Sequence, residues 1–440
     1  MTKRNSGIAQ RPEVAVIGAG VGGLSTAIRL AQLGLAVTVF ERLDRVGGLC
    51  GTVVFKGRRY VVGCNDFGHG LLRDLKALGI TLPFEHKKTR VHFAGERYSM
   101  PPGPQTILNF ARHLPSFARY VLGLRKARRR AYDKVRFLDQ LIDEARVGGR
   151  FADILMLPAY LMGVPPDRFR VDSILDEFTF HYGYANPITP VGGPQALADA
   201  LHQRLLALGG QVILGCEVTG VETMAGKKRV HTSQGGHDVD LLVSTLLKPG
   251  HFPPTCESGL PLSMLWLDID PAYRLPRRIH THLFYPPGIR QWFGDIYAGR
   301  MPAEFGFHFF CSDLGVQDGV NTASVYCHLP RGLTEDAAIQ TAAQAYILER
   351  IESLLPGIGA HLRACTMISP ALFREMHGMD PVLTPVIAPA GFPQPENHAP
   401  EDDVYYAGAA AFPPGMHSGA AIRSSAYVSE LIARRLTERR

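Results

Sequence analysis

The N-terminal part of the chain alternates short apolar runs with one longer segment of helical spacing. Apolar residues fill 14–17, and a second run at 37–40 is apolar except for Thr38. A glycine-rich turn after the first run leads into a helix-like stretch at 24–33. Short apolar runs bounded by turn residues indicate buried strands, and a longer periodic segment indicates a helix. The pattern predicts a strand, a glycine turn, a helix and a second strand that ends at Glu41.

The glycine turn has the GxGxxG spacing of a dinucleotide-binding loop, and its glycines are Gly18, Gly20, Gly22 and Gly23. Gly18 permits a tight turn, Gly20 lets the backbone approach a pyrophosphate, and Gly23 lets helix and strand pack closely. The positive helix N-terminus then faces the phosphates. Glu41 is placed to bind a ribose, and its charge disfavours the 2′-phosphate of NADP. A turn that binds no nucleotide is the alternative.

A second glycine pair, Gly47 and Gly48, follows Glu41 after a short polar segment. This order resembles the long FAD-binding motif of the flavin amine oxidase and phytoene desaturase superfamily. The resemblance implies that FAD is the cofactor and that these three residues help to bind it. Leu49, also a predicted cofactor-binding residue, stands where family members commonly have a basic residue, and Arg42 and Arg45 are candidate phosphate ligands in its place.

The C-terminal sequence resembles the same family. Residues 403–408 have the pattern of a short strand that ends at a glycine, and a long helix is predicted to run to Arg435. The resemblance implies that this strand approaches the flavin and that the helix N-terminus points at the isoalloxazine ring, where its dipole favours the anionic reduced form. The cofactor-binding residues implied here are Gly408, Gly415, Met416 and His417.

Three further segments resemble parts of this family: residues 189–197, 240–245 and 311–327. Residues 210–218 are predicted as a strand, and the resemblance implies that the backbone of Val218 holds the adenine ring. The resemblance covers most of the chain and is weakest over residues 95–185.

The resemblance implies an α/β fold, in which a Rossmann-like FAD-binding domain of the glutathione-reductase type carries an inserted α+β substrate domain. The FAD-binding domain is discontinuous and comprises residues 1–95, 186–255 and 375–440. The substrate domain comprises a helical cap at 96–185 and a sheet at 256–374. We expect the substrate cavity between the domains, against the flavin. The aromatic residues expected to line it are Phe307, Phe309, Tyr326 and Phe373.

Composition agrees with a folded enzyme of two domains, because 440 residues with 46% hydrophobic content can bury a sizeable core. No apolar run reaches the roughly 18 residues of a membrane-spanning helix, and the polar N-terminus does not resemble a secretory signal.

The seven cysteines include no CxxC pair, which predicts reduced thiols, a cytoplasmic location and no metal site. Covalent flavin attachment through Cys50 or Cys64 is the less favoured alternative.

Much of the net charge of +7 lies in one segment, residues 112–136, which has nine basic residues, one acid and interleaved apolar residues. A basic amphipathic pattern is typical of helices that lie on anionic membrane surfaces, so peripheral membrane contact is predicted. The alternative is a solvated face of the helical cap. No nucleic-acid-binding module accompanies the charge, so nucleic acid is not an expected partner. The oligomeric state stays open.

The resemblance implies an FAD-dependent oxidoreductase, a desaturase or dehydrogenase that moves a hydride from an apolar, polyene-like or secondary-metabolite substrate to flavin N5. His417 and His69 are the candidate catalytic or positioning residues, with Asn65 and Asp66 as further hydrogen-bonding groups. A helix cap for His417 and a turn position for the other three are the alternatives. An amine or amino-acid oxidase, and a flavin-binding partner protein without turnover, stay open as alternative functions.

Overall fold

The computed structural model describes residues 11–64, 67–129, 136–174, 186–224, 226–276, 278–384, 386–387, 394–413, 415 and 417–438. Some of the predicted site residues and part of the basic segment lie outside these ranges: Asn65, Asp66, Met416 and residues 130–135.

The described strands, in chain order, are β1 (Glu13–Ile17), β2 (Ala36–Phe40), β3 (Thr52–Phe55), β4 (Arg58–Val61), β5 (Phe67–Gly68), β6 (Phe84–His86), β7 (Lys88–Phe93), β8 (Glu96–Met100), β9 (Pro187–Pro190), β10 (Gln211–Ile213), β11 (Val218–Met224), β12 (Lys227–Thr232), β13 (Gly235–Val239), β14 (Leu241–Ser244), β15 (Ser263–Ile269), β16 (Ile279–Phe284), β17 (Phe307–Gln317), β18 (Val320–Cys327), β19 (Leu362–Ile368), β20 (His398–Ala399) and β21 (Val404–Tyr406). The described helices are α1 (Val21–Gln32), α2 (Leu71–Leu78), α3 (Pro104–Ala111), α4 (Leu114–Arg129), α5 (Leu138–Glu144), α6 (Gly149–Leu155), α7 (Leu157–Leu161), α8 (Pro194–Ala207), α9 (Ile289–Tyr297), α10 (Ala337–Leu354), α11 (Pro370–His377) and α12 (Ser418–Glu438), with a 3₁₀ turn at Gly359–His361.

The first sheet contains the predicted nucleotide-binding unit, with strand order β10-β2-β1-β14-β21-β20. Neighbouring strands are parallel except at the β20–β21 edge. Helices α1, α8 and α12 pack together over one face, where they cover Val14 and Val16 of β1. Strands β12 and β13 cover the other face, against Ala15 and Ile17. Both faces are buried, which explains the continuous apolar runs in the sequence. The α/β fold class and the strand–helix–strand prediction are confirmed.

The second sheet belongs to the substrate domain and has the order β19-β15-β18-β17-β16-β7-β8. Five of its seven strands, β15 to β19, lie within the segment 256–374 that was predicted to form a sheet. Strand β7 differs from expectation, because it was assigned to the FAD-binding segment 1–95 but pairs with β8 and, in parallel, with β16. The first FAD-binding segment therefore ends before Lys88.

Helices α3 to α7 form the helical cap and pack on the face of β7 and β16 that carries Val91 and Leu283. Helix α10 covers the face of β17 that carries Phe307 and Phe309. The part of β17 from Phe307 to Cys311 is buried, and Phe307 and Phe309 face this helix. Within the described ranges, no helix has the length and hydropathy needed to cross a bilayer.

The β3–β4 hairpin joins the two domains beside the cavity. The ring of Tyr60 stacks on that of Trp266, with centroids 4.6 Å apart and planes at 8°. The Tyr60 hydroxyl and the Arg58 guanidinium both donate hydrogen bonds to the buried carboxylate of Asp268. A buried charge held by two donors fixes the hairpin on the substrate sheet, because losing either donor would leave that charge poorly compensated.

Candidate functional site

The glycines of the nucleotide turn have different packing requirements. Gly18 has a φ of +96°, and a Cβ there would lie 2.3 Å from Oγ1 of Thr245. A Cβ at Gly23 would lie 1.9 Å from the Gly18 carbonyl oxygen. At Gly20, by contrast, a Cβ would meet no atom within 4 Å. Protein atoms therefore fill the space beside Gly18 and Gly23, whereas the space beside Gly20 is open. Gly20 lies at the N-terminus of α1, where a pyrophosphate would bind.

Glu41 follows β2 directly, and its side chain is 7% exposed. Its carboxylate accepts hydrogen bonds from the backbone N–H of Ala19 at 2.6 Å and of Leu43 at 3.0 Å. These bonds hold the carboxylate beside the glycine turn, at the carboxyl edge of the parallel sheet, which is the edge where such sheets bind ligands. The predicted contact of Glu41 with a ribose is compatible with this position and stays a prediction.

The second glycine pair lies against the first turn. Gly47 and Gly48 have φ values of +106° and +58°, in the region that favours glycine. The Gly47 N–H donates to the Ala19 carbonyl at 2.8 Å, and Gly47 forms a parallel bridge with Gly20. Two segments about thirty residues apart therefore form one surface that is rich in backbone groups.

The C-terminal segment packs on the same turn. A Cβ at Gly22 would lie 2.8 Å from the Cα of Gly408, which follows β21 with a φ of +99°. Gly415 has a φ of +141°, and a Cβ there would lie 2.8 Å from Nε2 of His417. Close approach of these backbones brings the C-terminal strand and the N-terminus of α12 to the nucleotide turn.

His417 caps helix α12, since its Nδ1 accepts a hydrogen bond from the Ala420 N–H at 3.1 Å. Burial lowers the pKa of His417 to about 4, so the ring is neutral at pH 7. Because Nδ1 is the acceptor, the proton of the neutral ring is on Nε2. His417 also lines the cavity, and a neutral N–H donor there can orient a ligand without introducing a charge.

A cavity of about 340 Å³ lies between the two domains, as predicted. Residues 20–23, Gly47, Gly408 and Ala409 form its wall on the FAD-binding side. The wall on the substrate-domain side comes from the second sheet, the cap and the segment after α11: Thr89, Leu161, Met162, Leu262, Met264, Thr281, His308, Phe310, Tyr326, Pro381, Val382 and Leu383. Among the described lining residues, none is Asp, Glu, Lys or Arg.

The aromatic lining differs from expectation in three of four positions. Tyr326 lines the cavity, as predicted, and its hydroxyl donates to the Val61 carbonyl at 3.1 Å. Phe307 and Phe309 instead pack beneath α10, and Phe373 is buried beside Trp266. Successive side chains of a strand point to opposite faces, so the cavity side of β17 carries His308 and Phe310.

The cavity lining does not include the predicted site residues His69, Arg42 and Val218. His69 is exposed, and its ring stacks on that of His86 with centroids 5.6 Å apart, so the structure does not place it for catalysis. The Arg42 guanidinium donates to the Gly378 carbonyl, and its contact with a phosphate stays a prediction. Val218 begins β11 and pairs with β12, and its contact with adenine stays a prediction.

Cys50 and Cys64 both line the cavity. A hydrogen bond with Cys64 and burial raise the pKa of the Cys50 thiol, which keeps it neutral and a weak nucleophile. This environment disfavours covalent attachment of a flavin at Cys50. Within the part of the chain that the structure describes, no three His, Cys, Asp or Glu side chains are grouped to hold a metal ion.

The sequence did not single out the polar residues of the substrate wall, Thr89, Thr281 and His308. Thr89 lies between Lys88 and Arg90, and such a polar context is typical of an exposed strand. No signal in the sequence alone distinguishes a threonine that faces a cavity from one that faces solvent.

Comparisons with known proteins agree with this architecture. Residues 21–247 match the family model described as flavin-containing amine oxidoreductase. The chain is 23% identical to the phytoene desaturase (neurosporene-forming) of Rhodobacter capsulatus over 524 aligned positions, which cover 100% of this chain and 96% of that protein. An oxidoreductase from Methanosarcina mazei has a TM-score of 0.64 at 18% identity, over 95% of this chain and 100% of its own. Cyclohexylamine oxidase from Brevibacterium oxydans has a TM-score of 0.63 at 14% identity, over 96% and 100%.

Proposed function

The chain belongs to the flavin-containing amine oxidoreductase family and is an FAD-dependent oxidoreductase; within that family, we propose that it dehydrogenates an apolar, polyene-like substrate. The observation that carries this proposal is the substrate-domain wall of the cavity, which is aliphatic and aromatic apart from Thr89, Thr281 and His308 and has no charged side chain among its described residues. Ligand pockets take their preference from the few polar groups that they contain. A wall of this kind favours a neutral, extended hydrocarbon framework.

The amine oxidase alternative fits the cavity less well. A cationic amine is commonly held between aromatic rings that face each other across a gap, and an amino acid needs a cation for its carboxylate. The rings of Phe310 and Tyr326 are in direct contact, with centroids 4.8 Å apart, which leaves no space for a ligand between them. No arginine or lysine is among the described lining residues.

When bound, FAD supplies a hydride acceptor for the oxidation. The two glycine segments would hold its pyrophosphate through backbone N–H groups, and the N-terminus of α12 would face its ring. The apolar side chains Leu161, Met264 and Phe310 exclude water and position the C–H bond of the substrate. Neutral His417 adds no charge to this environment.

Anaerobic mixing with a solubilised polyene such as phytoene should bleach the flavin absorbance of the purified holoprotein. Amines and amino acids should leave the absorbance unchanged, because the described lining provides no counter-charge for them. Stopped-flow absorbance near the flavin maximum measures both sets under identical conditions. Bleaching by an amine but by no polyene would assign the protein to the oxidases instead.

We also propose that the cap docks on an anionic membrane surface. Four large apolar side chains on α3 and α4 are exposed: Ile107 at 60%, Leu108 at 49%, Leu114 at 60% and Leu122 at 53%. The basic side chains Arg112, Arg125 and Lys126 are exposed in the same region. Apolar side chains that enter the headgroup layer and cations that contact anionic lipid act together in such docking. A membrane would also be the source of an apolar substrate.

The variant Leu114→Ser/Leu122→Ser should lose most of its binding to vesicles that contain phosphatidylglycerol. Co-flotation of the holoprotein with these vesicles measures this directly. Val54→Ser is the matched control, because Val54 is 61% exposed but lies on β3, outside the cap. A wild-type protein that does not float would show that the basic segment is only a solvated face.

A further inference from the structure

One hydroxyl group in the cavity wall has no hydrogen-bond partner among the residues that the structure describes. Thr89 is 2% exposed, and its Oγ1 is buried without a partner among the described residues, although the residue lines the cavity. A buried hydroxyl that makes no hydrogen bond costs stability, and proteins pair nearly all such groups. An unpaired hydroxyl in the lining of a ligand cavity is therefore positioned for a group that arrives with the ligand.

Thr89 is part of a polar strip on three adjacent strands. Thr281 is its register partner across the β7–β16 pair, and the Thr281 hydroxyl lies 3.1 Å from Nδ1 of His280. His308, on β17, is the third polar residue of the strip, and its ring centroid lies 5.3 Å from that of Tyr160. All three members of the strip line the cavity, whereas their neighbours in the wall are apolar.

We propose that Thr89, assisted by Thr281 and His308, binds a hydroxyl or carbonyl oxygen carried by an otherwise apolar substrate. The proposal rests on the proposed function and narrows its substrate class to oxygen-bearing polyenes or terpenoids. A pure hydrocarbon would fill the cavity but leave the Thr89 hydroxyl buried and unpaired. A carboxylate fits less well, because no cation is among the described lining residues.

The location of the strip gives it a positioning role. Strands β7, β16 and β17 belong to the substrate-domain wall, whereas the glycine turns form the wall on the FAD-binding side. An oxygen held at Thr89 would fix one end of the substrate on the substrate-domain wall. The apolar part would extend toward the FAD-binding wall, so the distance from the oxygen would determine which C–H bond is presented for oxidation.

Farnesol, farnesal and farnesene test this inference, because they share one chain and differ in the end group. Perturbation of the flavin spectrum of the holoprotein measures the dissociation constant of each compound. We expect the oxygenated probes to bind roughly tenfold more tightly than farnesene, the factor that corresponds to one hydrogen bond. The variant Thr89→Val should reduce this preference to less than about twofold, with the affinity for farnesene kept or improved. Thr366→Val, on β19 of the same sheet and away from the cavity, should keep the full preference.

A second readout does not depend on any substrate. Thr89→Val removes the unpaired hydroxyl and keeps the side-chain shape, so the holoprotein without added probe should melt at a higher temperature than the wild type. Equal binding of farnesol and farnesene by the wild type, or a preference that survives in Thr89→Val, would overturn the inference. If the preference depends on Thr89 but no apolar compound ever bleaches the flavin, the polar site stands and the proposed dehydrogenation fails.

Discussion

Replacing Gly23 with alanine should yield a protein that binds little or no FAD and is strongly destabilised. The new Cβ would lie 1.9 Å from the Gly18 carbonyl oxygen and 3.3 Å from Cγ2 of Thr245. The blocking atom belongs to the backbone of the same turn, so no side-chain rotation relieves the contact and the turn itself must move. Overpacking of this severity costs about 3 kcal/mol. The ratio of flavin to protein absorbance after purification and a thermal melt measure the two effects.

Gly20→Ala is the matched control within the same turn. A Cβ at Gly20 meets no protein atom within 4 Å, so this variant should fold with a melting temperature close to that of the wild type when FAD is removed from both. Its methyl group would stand where the pyrophosphate approaches the backbone, so its affinity for FAD should fall by a factor of ten or more, about 1.4 kcal/mol. Normal flavin content and stability in Gly23→Ala would contradict the packing described for the turn.

The nucleotide-binding unit could be predicted from sequence because its determinants are local. About thirty residues contain all of them: the apolar runs of β1 and β2, the glycines between these strands, and Glu41. Each of these features determines the backbone conformation or the contacts of residues close to it in sequence. The contact between Gly22 and Gly408 could not be worked out in this way. It joins the two ends of the chain, and only the family resemblance placed them together.

The substrate wall was harder to predict, because burial on both faces removes the alternation that identifies the inner face of a strand. Strand β17 begins with Phe307, His308, Phe309 and Phe310. Phe307 and Phe309 pack against helix α10, whereas His308 and Phe310 line the cavity.

The structure departs from the prediction for His69 for a different reason. It lies close in sequence to the FAD-binding strands, but its exposed ring turns to His86 at the surface. Proximity in sequence did not indicate proximity to the cavity.

The stability of the protein should fall steeply as the pH is lowered from 6.5 towards 4, because four enclosed histidines are neutral in the folded state. Burial is the main cause that lowers the pKa of His92, His282, His328 and His417, to about 4 for the last two. In the unfolded chain a histidine has a pKa of about 6.5. Between these values the unfolded chain binds more protons than the folded one, so acid favours unfolding. Each group contributes about 1.4 kcal/mol per pH unit, and four together about 5 kcal/mol per unit within the window.

Denaturant unfolding at fixed excess FAD, repeated at pH steps between 4.5 and 7.5, measures this slope, and the excess cofactor keeps the binding contribution comparable. His282→Phe removes one of the four groups at a site that is 2% exposed, and should reduce the slope by about a quarter. His69→Gln, at an exposed position, is the control for replacing a histidine as such. Carboxylates whose pKa is lowered by a partner, such as Asp403 beside Arg435, lose their charge only at the acidic end of this window, so the histidines dominate the slope at its upper end. A free energy of unfolding that stays constant from pH 7 to pH 5 would mean that these rings are protonated, or exposed to water, in the folded protein.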